Sequence, residues 1–346
     1  MSDIPHVPGR RRPRYSGKHP RRFEEKYKER APEQYPETAA KVRASGKTPA
    51  GSHVPVMVPE VLEALDLRPG DVVVDCTVGH GGHAVEMLRA ISPGGVLLGL
   101  DVDPIELPKT EARLRGLGFD AAVFRTRRSN FAGLPRVLAE EGLAGADAIF
   151  ADLGVSSMQL DDPQRGFTMK TAGPLDMRMN PARGQPAAAW LASVSASRLA
   201  NALADYADEP RADALAVAIA GRRFELTTDL AEAVREALPE VPEDERDLSV
   251  RRAFQAVRIA INEEFTALEM LLRVLPACLK PAGRAAMLTF HSGEDRRVKK
   301  SFQSGERSGI YTSVAPDPVR ATAQERRANP RSSSAKLRWA VRSPRS

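Results

Sequence analysis

Asp75 closes the apolar run VVVD, Gly79, Gly81 and Gly82 follow within VGHGGHA, and Asp101 closes a second apolar run 22 residues after Gly79. Glycines let a ligand touch main chain, and an acid about 20 to 25 residues further on is a common partner of ribose hydroxyls. The pattern implies a nucleoside ligand. It matches the dinucleotide fingerprint G-x-G-x-x-G poorly, and no P-loop lysine follows. Without a pyrophosphate cradle, and with an additional acid at Asp75, S-adenosylmethionine fits better than NAD. On these residues alone a dinucleotide and a purely structural turn stay open.

The elements that must position these residues read as an α/β fold. DVVVDC, GVLLGLDVD, ADAIFADLGVSS (146–157) and GRAAMLTFHS (283–292) each begin as a continuous apolar run, typical of a strand buried on both faces, and each closes on polar residues. AVEMLRAI is a short helix between the first two, so the unit is a right-handed crossover. The tips carrying Asp75, Asp101, Asp152 and His291 then align on the carboxyl edge of one sheet, where such folds bind ligands. Between residues 152 and 284 the periodicity is helical: AAAWLASV, SRLANALADY, ADALAVAIAGRRF and DLAEAVREAL, the last with Thr227 and Thr228 as caps. This predicts an inserted helical subdomain. Phe254, Val257, Ile261, Phe265, Leu268, Leu272 and Leu275 recur at three and four, predicting one long amphipathic helix over 251–279 that returns to the sheet.

At 346 residues and 42% hydrophobic the chain can bury a large core. It has no apolar stretch of membrane-spanning length, and its start lacks the apolar centre of a signal peptide, so the expectation is a cytoplasmic protein with no membrane contact. Cys76 and Cys278 cannot build a disulfide framework and read as core residues. His53, His80 and His83 do not form a credible metal set, so no metal is expected. The net charge of +6 is uneven. Residues 1–53 hold 13 Lys/Arg against 6 Asp/Glu, residues 296–346 hold 13 against 3, and the intervening body holds 25 against 36. An acidic body between basic ends fits a protein drawn to a phosphate backbone, although solvated tails also look like this. Residues 1–52, with prolines at 5, 8, 13, 20, 32, 36 and 49, are expected to be a disordered extension.

HVPVMVPEVL, DCTVGHGGHA, DVDP, DLGVSSMQLDDPQRGFTMKTAGPLDMRMNPARG, FQAVRIAINEEF, FHSGEDRRVKK and NPRSSSAKLR, in this order over about residues 53–340, resemble the bacterial small-subunit (16S) ribosomal RNA cytidine N4-methyltransferase family. The resemblance implies a class I, Rossmann-like methyltransferase domain over 53–158 and 262–346, with an all-helical insertion at 159–261. It implies transfer of a methyl group from S-adenosylmethionine to the exocyclic amine of a decoding-centre cytidine. The partner would be 16S ribosomal RNA or the small ribosomal subunit, and a homodimer is compatible with it. Carried over by motif, the cofactor contacts fall on Gly81, Gly82, His83, Asp101, Phe131, Asp152 and Gln159. Gly81 and Gly82 would let main chain approach the methionine part, Asp101 would accept both ribose hydroxyls, and Phe131 would wall the adenine. Asp152 would face either the sulfonium or the incoming amine. Each also has an ordinary role to weigh: Phe131 as core, Asp101 as a helix cap. A methyltransferase with another RNA, DNA or protein acceptor, and a noncatalytic assembly factor, remain as alternatives; the intact turn and acids argue against the latter.

Methyl transfer to an exocyclic nitrogen needs no cysteine nucleophile, whereas a carbon-5 enzyme would. The tetrapeptide of Asn, Asp or Ser before Pro-Pro and an aromatic, usual in amino-methyltransferases, is absent. DLGV stands in its place, so the acceptor for the amine is unassigned, with His291, Ser292, Glu294 and Asn262 as candidates. For RNA, Arg165, Lys170 and Arg178 interleaved with Phe167 and Met177, together with NPRSSSAKLR, are the expected contacts, a flipped base entering the pocket. The opposing reading pairs these arginines with Asp161, Asp162 and Asp176, above all for Arg178. Two departures from the family bear on docking. YADEPRADALAVAI (206–219) lacks several of its basic residues, and Gly293 replaces the leucine of FHSLEDR. The basic extension lies outside the resemblance and is expected to supply the missing charge.

Overall fold

The computed structural model describes residues 54–344. Its elements, in chain order, are α1 (Val58–Leu65), β1 (Val72–Asp75), α2 (Gly82–Ile91), β2 (Val96–Asp101), α3 (Glu106–Gly116), β3 (Phe124–Arg128), α4 (Leu134–Glu140), β4 (Ala146–Asp152) and α5 (Ser157–Asp161). There follow α6 (Ala187–Ser193), α7 (Ala196–Ala207), α8 (Ala212–Ile219), α9 (Thr227–Glu236), α10 (Glu243–Asn262) and α11 (Glu264–Cys278). The chain then returns to the sheet with β5 (Leu279–Thr289), α12 (Ser292–Arg307), β6 (Tyr311–Val314), α13 (Ala323–Ala328) and β7 (Lys336–Arg342).

The seven strands form one sheet in the order β3-β2-β1-β4-β5-β7-β6. The first five run parallel, and β7 is antiparallel to both its neighbours. Continuous apolar runs are what such a sheet requires, because helices cover both faces: Val73, Val74, Leu97, Leu98, Ile149 and Phe150 are all fully buried. This is the class I, Rossmann-like arrangement. The chain reverses direction across the sheet between β1 and β4, which opens a crevice at their carboxyl ends.

Between β4 and β5 lies the helical insertion, which has an apolar core of its own. Trp190, Leu191, Leu199, Leu203, Leu215, Ile219, Leu230, Val234, Val250 and Val257 pack together there, apart from the two cores that flank the sheet. The single long helix expected over 251–279 is two helices. Glu263 takes a left-handed conformation (φ 52°) and separates α10 from α11. The cause is visible in the packing. Phe254 and Val257 face the insertion core, whereas Leu268, Leu272 and Leu275 face the sheet, and one straight stripe cannot serve both. Thr227 and Thr228 do not cap α9. Thr227 is buried inside its first turn and donates its hydroxyl to Thr171 O, while Asp229 Oδ2 accepts the N–H of Leu226 just before the helix.

The most deeply buried tie between insertion and sheet is an ion pair. Arg165 Nη1 donates to Asp103 Oδ2 at 2.7 Å, with both side chains over nine-tenths buried, and Arg165 Nη2 donates to the carbonyls of Arg178 and Met179. Asn262 completes the junction, its Oδ1 accepting from Met179 N and its Nδ2 donating to Met177 O. Removing one member of a buried ion pair leaves an uncompensated charge, typically costing about 3–5 kcal/mol. Arg165→Met is therefore expected to lower unfolding free energy in a denaturant titration by about that amount, while Lys170→Met, on an exposed side chain, stays within about 0.5 kcal/mol. Equal stability of the two variants would contradict the role of this pair.

Candidate active site

A cavity of about 490 Å³ opens along the carboxyl edge of the sheet. Gly81, Gly82, His83, Asp101, Phe131, Asp152 and Gln159 all line it. Asp75, at the tip of β1, is buried beneath it.

The glycine turn is built around Asp101. Its Oδ2 accepts Gly79 N at 2.9 Å, its Oδ1 accepts Asp103 N at 2.9 Å, and Thr110 Oγ1 holds Gly79 O from α3. Each carboxylate oxygen is used once by main chain and keeps acceptor capacity toward the cavity, so two hydroxyls can still be received. Gly79 and Gly81 have φ of 48° and 76°. A Cβ on Gly81 would come within 3.0 Å of Leu114 and Thr110, and one on Gly82 within 3.0 Å of Pro55. Close protein packing therefore also disfavours a side chain at both positions.

His83 is packed rather than free. Its Nε2 donates to Val56 O at 2.8 Å, which leaves Nδ1 as the lone-pair nitrogen, 3.7 Å from Asp152 Oδ2. Burial holds its pKa below the ordinary value, so the ring is neutral, and it lies against Phe150 with centroids 4.8 Å apart. Among the described residues no group of three or more His, Cys, Asp and Glu is placed to hold a metal ion. Gln159 spends its amide on structure: Oε1 accepts Ser156 N, and Nε2 donates to Asp103 Oδ2 at 3.0 Å. Phe131 sits in a short 3-10 turn, with Asn130 Oδ1 accepting Ala132 N, and packs against the sheet core beside the cavity.

Burial dominates the electrostatics. It pushes Asp75 and Asp152 each to about 7 and Asp101 to about 6; Glu294 adds to the effect at Asp152, while main-chain N–H groups restrain it at Asp75 and Asp101. Three carboxyls that ionise reluctantly along one edge form a site in which a bound cation would be stabilised. Cys76 also lines this cavity, but burial drives its thiol well above the ordinary range and makes it a poor nucleophile; burial pushes Cys278 to about 11.

The far end of the cavity is formed by Arg258, Asn262, Glu264, Phe265, His291 and Glu294. Arg258 holds Glu264 through two hydrogen bonds of 2.8 and 2.9 Å. Of the candidates for the amine's acceptor, Glu294 and His291 face the cavity. Asn262 lines it with its amide committed to the Met177–Met179 backbone, and Ser292 donates away to Asp208.

The expected RNA contacts need correction. Arg165 is 8% exposed and paired with Asp103, not with Asp161 or Asp162; Phe167 and Met177 are buried in the insertion core; Arg178 chelates Asp176. Only Lys170 of that set is exposed. In NPRSSSAKLR, Arg338 and Lys336 converge on Asp295, and Arg331 binds Asp161 at 3.0 Å. The exposed Arg331 and Ser334 of that motif line the cavity. Sequence reasoning missed Asp103, a second acid after Asp101 in DVDP, and the Arg258–Glu264 pair, six residues apart across the helix break.

The chain's residues 50–343 match the MraW methylase family. It is 46% identical to Ribosomal RNA small subunit methyltransferase H 1 of Lachnoclostridium phytofermentans, over 96% of this chain and 93% of that protein. It is 45% identical to Ribosomal RNA small subunit methyltransferase H 2 of Alkaliphilus metalliredigens, over 96% of this chain and 97% of that one. With the Symbiobacterium thermophilum protein Ribosomal RNA small subunit methyltransferase H the identity is 39%, over 84% of this chain and 96% of that one. A match over 96% cannot be reached without entering residues 1–52, so the basic extension is not wholly outside the likeness as expected. The cavity, the acids along its edge and this full-length similarity agree: the chain belongs to the MraW methylase family and uses S-adenosylmethionine as methyl donor.

Proposed function

We propose that this protein transfers a methyl group from S-adenosylmethionine to the exocyclic N4 of a cytidine in the decoding centre of 16S ribosomal RNA, within the small ribosomal subunit. The observation that carries the reading is the pair of desolvated acids Asp101 and Asp152 lining a cavity that Phe265, His291 and Glu294 also line, with Asp75 buried at the tip of β1. The names of the relatives supply the acceptor class. In this assignment Asp101 receives the ribose hydroxyls, Phe131 walls the adenine, and Gly81, Gly82, His83, Asp152 and Gln159 shape the remainder of the cofactor's seat. The cofactor supplies an electrophilic methyl group. What the protein supplies is alignment of a conjugated, weakly nucleophilic amine with that methyl and an acceptor for the amine's hydrogens. The raised thiol of Cys76 fits transfer to nitrogen better than a carbon-5 route, which needs a covalent cysteine adduct.

Mass spectrometry of small-subunit rRNA nucleosides and fragments, from cells lacking the gene and from cells complemented with wild type or Asp101→Ala, tests the assignment. One N4-methylated cytidine should disappear in the deletion and return only with wild type. Its persistence in the deletion strain would move the search to another acceptor.

The acids also set a pH dependence. As pH falls through about 7 and then 6, Asp75, Asp152 and Asp101 become protonated, which removes negative charge at and beneath the cavity wall and acceptor capacity facing the ribose. S-adenosylmethionine affinity, measured by calorimetry, is expected to weaken about tenfold or more between pH 8 and pH 5. The same groups act oppositely on the empty protein, because their folded pKa values lie above the unfolded ones and their contribution to stability is lost as pH rises through 6–7. Affinity independent of pH over this range would remove the acids from the cofactor's site.

A further inference from the structure

The acceptor end of the cavity contains groups that nothing above puts to use. Glu294, in the first turn of α12, is 3% exposed; its Oε2 accepts Phe290 N at 2.8 Å, and its Oε1 lies 3.1 Å from His291 Nε2. Although that contact is close, its geometry is not that of a hydrogen bond, and both ring nitrogens of His291 are buried without a hydrogen-bond partner. Glu294 Oε1 also sits against the loop that follows Asp152: a Cβ placed on Gly154 would be 3.9 Å from it. Its carboxyl stays below the ordinary range despite burial, because His291, Arg258 and Phe290 N all favour the charged form. The ionised Glu294 carboxylate and the His291 ring, in contact at 3.1 Å, therefore line the same cavity as Asp152.

The aromatic wall beside them depends on Gly293. Gly293 has no room for a side chain, since a Cβ there would lie 2.6 Å from Phe265 Cζ. Glycine at this position lets the Phe265 ring approach α12, where it lies 5.7 Å from the His291 ring, with the Arg297 guanidinium stacked 3.6 Å over it. The Phe265 ring, 5% exposed and stacked by Arg297, is a packed wall, while a hydrogen-bond acceptor for an amine and a polar ring nitrogen are the groups that hold a flipped nucleobase by its edge.

We propose that Glu294 is a catalytic residue that accepts a hydrogen of the amine being methylated, while His291 engages the edge of the same base against Phe265. This rests on the cytidine reading above and names the groups that perform it. As the amine's lone pair attacks the methyl carbon, the carbon–sulfur bond breaks and its electron pair stays on sulfur, giving S-adenosylhomocysteine. The new carbon–nitrogen bond leaves the nitrogen with one proton too many, and that proton passes to Glu294 Oε1 and then to solvent. Asp152, whose Oδ2 lies 3.7 Å from His83 Nδ1, is left to the donor.

Glu294→Gln tests this, because the amide oxygen can still accept Phe290 N while its NH2 would meet the amine donor to donor. Single-turnover methylation of small-subunit particles from the deletion strain should fall at least 100-fold, the range of a lost proton acceptor, with S-adenosylmethionine affinity within threefold of wild type. Glu294→Asp, which restores a carboxylate on a shorter arm, should recover part of the rate. Circular dichroism and thermal unfolding report whether each variant is folded. A folded Glu294→Gln that methylates within threefold of wild type overturns the proposal; so does loss of cofactor affinity in both variants, which would place Glu294 in the donor's site. If wild type forms no N4-methylcytidine on those particles, the cytidine reading fails, and the assignment of Glu294 to that amine falls with it.

Discussion

Asp103 is 1% exposed and accepts four hydrogen bonds: from the main chain of Ile105 and Glu106 at the start of α3, from Gln159 Nε2, and from Arg165 Nη1. Its own N–H binds Asp101, which in turn holds the glycine turn through Gly79. One buried carboxylate thus fixes Asp101, the first turn of the helix beside it and the entry of the chain into the insertion. A charge so deeply desolvated is tolerable only with all its partners in place. The cavity is therefore coupled to the fold of the insertion, since Arg165 is at once the counter-ion of Asp103 and the clamp on the Arg178 and Met179 carbonyls.

The cavity divides electrostatically along its length. The donor half carries acids whose charge is disfavoured by burial and would be restored by a cation beside them. In the acceptor half, Arg258 is neutralised by Glu264, and the ionised Glu294 is sustained by His291, Arg258 and a main-chain N–H. Asp152 lies at the boundary, raised by burial and by Glu294, and 3.7 Å from the neutral His83. A cationic methyl donor on one side and a neutral amine on the other is the pairing this gradient suits.

Much of this was legible in the sequence. Continuous apolar runs closing on acids, or for β5 on other polar residues, located β1, β2, β4 and β5, because a strand buried on both faces has no polar alternation to confuse the reading. β3 (FRTRR) and β7 (KLRWAVR) were not recognised. β3 is an edge strand whose arginines reach out to Glu141, and β7 carries the buried Arg338, matched by Asp295 far away in sequence. The same blindness to distant partners made Arg165 look like an RNA contact: its type signals phosphate, and only the fold shows Asp103 beside it. The break at Glu263 was hidden because the three-and-four apolar spacing continues across it while the core it faces changes. Gly81 and Gly82 were found for their bareness, but their close contact with α3 and Pro55 is three-dimensional.

A crystal structure of the protein with S-adenosylhomocysteine bound tests the central claim most directly. The account predicts the ribose hydroxyls on Asp101, the adenine against Phe131, and the sulfur between the glycine turn and Asp152, with the space before Glu294 and His291 left open for the base. A nucleoside bound elsewhere, or one filling the acceptor end against Glu294, would contradict it.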